Sequence, residues 1–398
     1  MRKFHIASDE DIKSGETSDV YYLRTKKILE AKGLASTKVV AEATVSSLPK
    51  NWHWCVICGI EEEAHLFEGL PVSVYSVREG TVVPLRDIDG LKIPVMRIEG
   101  AYAAFAHVET ASVGLLCQAT GVATAAARVK IAAGWKPVYA FGIRRMHPAI
   151  APMLDRAAFI GGFDGVSGVL GAKLIGIKPS GTMPHTLILI FGNQEDAWKA
   201  FDEVIEQDIP RVALVDTFYD EKVEALMAAK LLKDKLFAVR LDTHGSRRGN
   251  FADIIREVRW ELDINGFKNV KIMVSGGLNE ENIGELSKAG ADIFGVGTSV
   301  SNAPTVDFAI DIVEVEGKPL AKRGKLAGKK QVWRCRSCFT WKVTLANTCE
   351  VKCPRCGDVM DPVLEPLVEE GRIVKDLPKP QEIRDYVISQ IKHYNITL

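Results

Sequence analysis

Four segments in the second half of the chain could do chemistry together: Asp216-Thr217, Arg240-Leu-Asp242-Thr243, Ser275-Gly276-Gly277-Leu278 and Gly295-Val-Gly297-Thr298. Each ends a short β-branched run and opens toward a helical pattern. Carboxylates and bare glycine amides at one edge of a parallel sheet suit a ligand carrying both hydroxyls and phosphates, which points to phosphoribosyl chemistry. Glycine lets the backbone approach an anion with no Cβ in the way, and the two Gly-rich ends belong to consecutive strands, where a phosphate is commonly held by backbone amides and a helix N-terminus. Asp216 and Asp242 are placed to accept from ribose hydroxyls or to reach magnesium. Arg240, two residues from Asp242, shares its strand face; a satisfied structural ion pair is the alternative reading of these two. Upstream, Arg144, Arg145 and His147 crowd one strand-to-helix turn, and the planar donor fork of arginine matches an oxyanion.

The elements that must position these groups follow from periodicity. Apolar runs at Val138–Phe141, Leu187–Phe191, Arg211–Val215, Leu236–Leu241, Val270–Val274 and Asp292–Val296 read as strands, and amphipathic stretches between them read as helices. Buried parallel strands with crossover helices make an α/β core. Functional-looking residues after many successive strands favour an irregular (β/α) barrel over an open sheet with one Gly-rich turn. Residues 1–110 mix short strands and turns into an α+β domain, 111–300 hold the barrel, 301–331 form a return segment, and 332–398 a C-terminal module. The Ala-rich stretch from Tyr102 to Ala133 reads as a buried or interdomain helix.

With 51 basic and 51 acidic residues among 398, the chain has no net charge and gives no electrostatic case for a nucleic-acid or membrane partner. No leader-like segment and no uninterrupted bilayer-length apolar run stand out, so a cytoplasmic protein is expected. Of eight cysteines, Cys335, Cys338, Cys353 and Cys356 form two CxxC pairs fourteen residues apart, the spacing of a structural zinc ribbon with four thiolates. Cys55 and Cys58 lie in an apolar run and read as core. Basic residues from Lys318 to Lys330 and within the ribbon leave a nucleic-acid or protein-binding role for that module open.

Taken in order, Asp19-Val-Tyr21, Gly142-Ile-Arg144-Arg145-Met-His147-Pro148, Gly165-Val-Ser167, Gly181-Thr182-Met-Pro-His185, Leu214-Val-Asp216-Thr217, Arg240-Leu-Asp242 and Ser275-Gly-Gly-Leu resemble motifs of the nicotinate phosphoribosyltransferases. The resemblance covers roughly residues 1–330 and looks nearest to archaeal members with a C-terminal zinc module. It implies conversion of nicotinate and 5-phosphoribosyl-1-pyrophosphate (PRPP) to nicotinate mononucleotide and pyrophosphate in NAD salvage, with magnesium accompanying PRPP. It further implies a dimer with a shared site, in which Tyr21 stacks on the pyridine ring. Arg240 or Arg144 would meet the carboxylate, and Gly276, Gly277, Gly295 and Gly297 would cradle the 5-phosphate. Thr182, Thr217, Ser275, Thr298, Arg145 and His147 would be further substrate contacts. Ser167 occupies a position that is aspartate in nicotinamide-using relatives; a hydroxyl donates to a carboxylate that an aspartate would repel. His185 stands where many members carry a histidine phosphorylated by ATP, which leaves ATP coupling open. The rival within this class is quinolinate phosphoribosyltransferase, whose Arg-Lys-Thr motif this chain lacks.

Overall fold

A computed structural model describes residues 3–398, which divide into two compact units, one of residues 125–303 and one made of the chain up to 124 together with 304–398. The central unit is built on six parallel strands: β1 (Val138–Ala140), β2 (Gly165–Val166), β3 (Arg211–Leu214), β4 (Leu236–Leu241), β5 (Lys271–Ser275) and β6 (Ile293–Val296). Their spatial order is β2-β1-β6-β5-β4-β3, all pairs parallel. Among the described residues β2 and β3 do not pair, so the sheet is a half-barrel open between them. β3 and β6 are buried along their whole length, as strands covered on both faces must be.

Side-chain caps set where the crossover helices start. Asn193 accepts from the Asp196 amide, Asp220 from Lys222, and Asn250 from Ala252 and Asp253, each satisfying amides that the first helical turn leaves without a partner. One expected strand is corrected: Leu187–Phe191 belongs to a helix, His185–Phe191, which follows Pro184 and stops at Gly192 with φ +78°. Five apolar residues carry no period that separates strand from helix. The helix leaves Leu189 and Ile190 largely exposed, where an inner barrel strand would have buried them.

The other unit is a seven-stranded antiparallel sheet. It runs Lys318–Pro319, Asp307–Val315, Lys38–Ser47, Pro94–Ala101, Val72–Ser76, Glu365–Glu369 and Arg372–Ile373. Its core continues into a three-stranded sheet (Trp341–Leu345, Lys330–Cys335, Met360–Pro362) through Val332, Trp341 and Val343. Cys55 and Cys58 are fully buried here, with burial pushing the Cys55 thiol up and the Cys58 thiol donating to Glu79. The stretch 102–132 is long and apolar enough to cross a membrane, yet most of its apolar window is buried inside the protein, so it is a core helix.

Candidate active site at the strand ends of the half-barrel

The carboxyl ends of five strands, β1, β2, β4, β5 and β6, and the segment from Gly181 to Thr186 surround a cavity of about 690 Å³, a size suited to a nucleotide-like ligand. Arg240 organises it. It points from β4 and makes four hydrogen bonds: Nε to Ser275 Oγ at 3.0 Å, Nη1 to Thr182 Oγ1 at 2.6 Å and to the Met183 carbonyl at 3.3 Å, and Nη2 to Asp242 Oδ2 at 2.9 Å. Only one of its five N–H donors remains. Ser275 in turn donates to Asp242 Oδ1 at 2.8 Å, so β4 and β5 are tied through one carboxylate.

Asp216 lies one layer below. Its side chain is 1% exposed; Oδ1 meets His185 Nε2 at 2.8 Å, and Oδ2 accepts from the Asp242 amide at 2.6 Å. That hydrogen bond to Asp216 holds the His185 imidazolium form and raises its pKa, with burial opposing. His185 itself is the first residue of its helix and lines the cavity.

The two Gly-rich ends are shaped for close backbone approach. Gly276 and Gly277 have φ of +83° and +68°, and a Cβ on Gly276 would stand 2.9 Å from Arg248 Nη2 and 3.0 Å from Asp242 Oδ1. A Cβ on Gly295 would lie 2.5 Å from the Phe141 ring. Ser299, in the short helix Thr298–Ser301 after β6, donates to the Leu278 carbonyl at 2.7 Å and clips the two ends together.

Arg144 and Arg145 also line the cavity and, with Ser167, face it from the β1 and β2 ends. Both arginines are exposed and no hydrogen bond or ion pair engages their side chains among the described residues. His147, by contrast, turns to its own helix and accepts from the Ala149 amide at 3.1 Å, outside the cavity lining. Thr217 is likewise outside it, its amide donating to Glu224. Thr182, Gly297 and Thr298 line the cavity; Tyr21 belongs to the other unit, half-exposed on the helix Val20–Ala31.

Three supporting residues escaped the sequence reading. Arg248 donates to the carbonyls of Thr243, Ser275 and Gly276, spanning the β4 and β5 ends; the Gly-Ser-Arg-Arg-Gly run right after Asp242 was the available signal. Glu224 accepts from three successive amides, Thr217 to Tyr219, and shapes the loop after Asp216. Asp155, buried behind the Ser167–Gly168 turn, lies where a Cβ on Gly168 or Gly171 would collide with its carboxylate. Burial lifts its pKa to about 7, and nothing local in the sequence signals this.

Known proteins align with this architecture. Residues 19–120 and 122–311 match the quinolinate phosphoribosyl transferase N-terminal and C-terminal domains. A nicotinate phosphoribosyltransferase of Mycobacterium tuberculosis is 31% identical over 336 residues, covering 80% of this chain and 68% of the relative. The chain belongs to the nicotinate phosphoribosyltransferase family. Among solved structures, a Pyrococcus furiosus protein called nicotinate-nucleotide pyrophosphorylase shares 58% identity and a TM-score of 0.96, with each chain covered fully. Human nicotinic acid phosphoribosyltransferase shares the fold, with a TM-score of 0.73 at 17% identity over 94% of each chain. In this member of the phosphoribosyltransferase family the strand-end cavity is therefore the candidate active site.

The family member's second cluster lies in the three-stranded sheet. Cys335, Cys338, Cys353 and Cys356 bring their sulfurs within 4.8 Å of one another, with closest pairs at 3.4, 3.6 and 3.7 Å. Zinc–thiolate bonds of about 2.3 Å imply tetrahedral S–S edges of roughly 3.8 Å, so the donor set fits one such ion. Gly357, at φ +82°, lets the second knuckle turn, and Tyr394 donates to the Cys335 carbonyl behind the first.

Proposed function

We propose that this chain transfers the phosphoribosyl group of PRPP to nicotinate, giving nicotinate mononucleotide and pyrophosphate. The single observation that carries the reading is the junction of two Gly-rich strand ends with the Arg240–Asp242–Ser275 network, beside two unpaired arginines. In the reaction the pyridine nitrogen lone pair forms a bond to the anomeric carbon while the carbon–oxygen bond to pyrophosphate breaks, its electron pair leaving on oxygen. No protein nucleophile is needed; positioning and charge stabilisation do the catalysis.

Roles follow from what each group still has to offer. The Ser275-Gly276-Gly277 and Gly297-Thr298 amides take the 5-phosphate. Arg144 and Arg145, with every guanidinium donor free among the described residues, meet the anionic ends: the pyrophosphate and the nicotinate carboxylate, the latter shared with the Ser167 hydroxyl. Arg240, with one free N–H, mainly fixes Asp242 and Thr182. Asp242, whose side chain is 24% exposed, faces the ribose hydroxyls, whereas Asp216 is closed off and sets His185. Magnesium would supply charge neutralisation on the leaving pyrophosphate; Asp242 is the carboxylate that fits it, since its side chain is 24% exposed and lines the cavity whereas that of Asp216 is 1% exposed.

The four thiolates fit a structural zinc, because a closed Cys₄ set leaves no open coordination position. A second copy of the chain would bring its Tyr21 to the pyridine ring, making a dimer the active unit, and a NAD-salvage enzyme of this kind belongs in the cytoplasm. Product analysis with nicotinate, nicotinamide and quinolinate offered separately, each with and without ATP, tests the proposal. Nicotinate mononucleotide from nicotinate alone supports it, and carbon dioxide release from quinolinate overturns it in favour of the rival. A rate that needs ATP, with phosphate found on His185, would add the coupled step.

A further inference from the structure

In the unit of residues 3–124 and 304–398, far in sequence from the strand ends of the half-barrel, a second cavity of about 330 Å³ is flanked by the strands Lys38–Ser47 and Asp307–Val315 and by the segment leading to Lys330. That is the small end of ligand-sized pockets, roughly 300–1,000 Å³. Four cationic side chains line it, Arg86, Lys92, Lys325 and Lys330, against two carboxylates, Glu42 and Asp311.

The hydrogen bonds separate the structural charges from the unused ones. Lys330 is consumed: its ammonium donates to Glu42 Oε2 at 2.9 Å and to the Leu326 and Gly328 carbonyls at 2.8 and 2.9 Å. Asp311 is likewise neutralised, by Lys322 at 2.6 Å and Lys325 at 2.5 Å. Among the described residues, the Arg86 and Lys92 side chains pair with no carboxylate. Each makes one hydrogen bond, to a backbone carbonyl: Arg86 Nη1 to Gly90 and Lys92 Nζ to Ser46, both at 2.6 Å. The guanidinium therefore keeps four donors and the ammonium two.

Two further facts show strain that an anion would relieve. Burial first, and then the like charges of Lys325 and Arg86, depress the Lys92 pKa, with the Asp311 carboxylate only partly opposing them. Thr44 lines the cavity, and its hydroxyl is shut off from solvent with no hydrogen-bond partner among the described residues, an arrangement that costs stability unless a partner arrives.

We propose that this cavity is a second anion site of the protein, taking a phosphate-class oxyanion between Arg86 and Lys92 with the Thr44 hydroxyl as a further contact. An arginine fork beside a lysine point charge is the donor set that phosphate geometry favours. The ligand is either a free phosphate or pyrophosphate or the terminal phosphates of a nucleotide, since both present the same oxygens.

The test is calorimetric titration of the intact protein, at matched ionic strength, with inorganic phosphate, pyrophosphate and ATP. The strand-end cavity also attracts phosphates, so the decisive quantity is a difference in stoichiometry. Wild type binds one more phosphate per chain than Arg86→Gln or Lys92→Gln, or each substitution weakens that extra event by about tenfold or more, as loss of a charge-assisted hydrogen bond predicts. Lys92→Gln also melts higher than wild type in phosphate-free buffer, because a like-charge contact is gone, and its melting point responds less to added phosphate. ATP binding with the same dependence on Arg86 assigns the site to a nucleotide; binding of the free anions alone assigns it to inorganic phosphate. Identical stoichiometry, affinity and phosphate response in wild type and both variants would overturn the proposal.

Discussion

The cysteine cluster and the strand-end cavity are both sets of converging polar groups, but they are assembled in opposite ways. The four thiols come from two knuckles, Cys335–Cys338 and Cys353–Cys356, joined by the strand Trp341–Leu345 and a loop, and their sulfurs already stand near tetrahedral spacing. The cavity draws on strand ends from Phe141 to Ser299 and holds them by relays: Arg248 braces backbone carbonyls, Asp216 sets His185, and Arg240 and Ser275 share Asp242. A local cluster should fail all at once and touch little else. A distributed one should fail in steps, by an amount set by how many relays pass through the altered residue.

The largest effect is therefore expected in the ribbon. Cys353→Ser should abolish about one bound zinc per chain, whereas Cys58→Ser, buried elsewhere in the same unit beside Glu79, should leave the zinc content unchanged. Elemental analysis reads this, and an activity assay on the same samples should show the chemical step nearly untouched in any Cys353→Ser protein that stays folded. Zinc retained in Cys353→Ser would show that the ligand set is wrong.

Next comes Asp242→Asn, which removes a charge that Arg240 and Ser275 both hold. Turnover should fall by on the order of a hundredfold, comparable to losing one preorganised electrostatic contact, with little change in melting temperature. A collapse of stability at unchanged turnover per folded molecule would mean that the Arg240–Asp242 pair is purely structural. Arg248→Met should act more gently. By loosening the carbonyls of Thr243, Ser275 and Gly276 it should raise the KM for PRPP about tenfold, the cost of one charged hydrogen bond, while the KM for nicotinate moves little. Equal changes in both would break the assignment of these loops to the phosphate.

The smallest effect is a stability effect with a definite sign. Asp155 has a folded pKa of about 7, above the ordinary value of about 3.9, so the native state binds the extra proton between these limits. Its burial therefore favours the fold at acid pH and loses that contribution as pH rises from about 4 to 7. Asp155→Asn should melt a few degrees higher than wild type above about pH 7, given roughly 2–4 °C per kcal/mol for a unit of this size, and the gain should vanish near pH 4. A gain that grows toward acid would contradict the account.

How far the sequence could be read follows from range. Strand–helix alternation from Val138 to Val296 exposed the parallel core, because each element carries its own period and its own cap. The pairing of Lys38–Ser47 with Asp307–Val315 was not legible, since no local pattern joins strands about 270 residues apart. His185–Phe191 was misread because its apolar run is too short to show a period, and exposure of Leu189 and Ile190 is a tertiary fact. In the cavity, residue types and order marked Arg240, Asp242, Ser275 and the glycines, but depth was hidden: only the fold places Asp216 beneath His185 and leaves Arg144 and Arg145 without partners.

The central claim is that the free arginines and the Ser167 hydroxyl select a single carboxylate on the pyridine ring. The direct measurement is kcat/KM for nicotinate and for nicotinamide with PRPP and magnesium. The account predicts nicotinate preferred by at least about a hundredfold, because the amide lacks the charge these groups are arranged to meet. Equal values for the two substrates would contradict it.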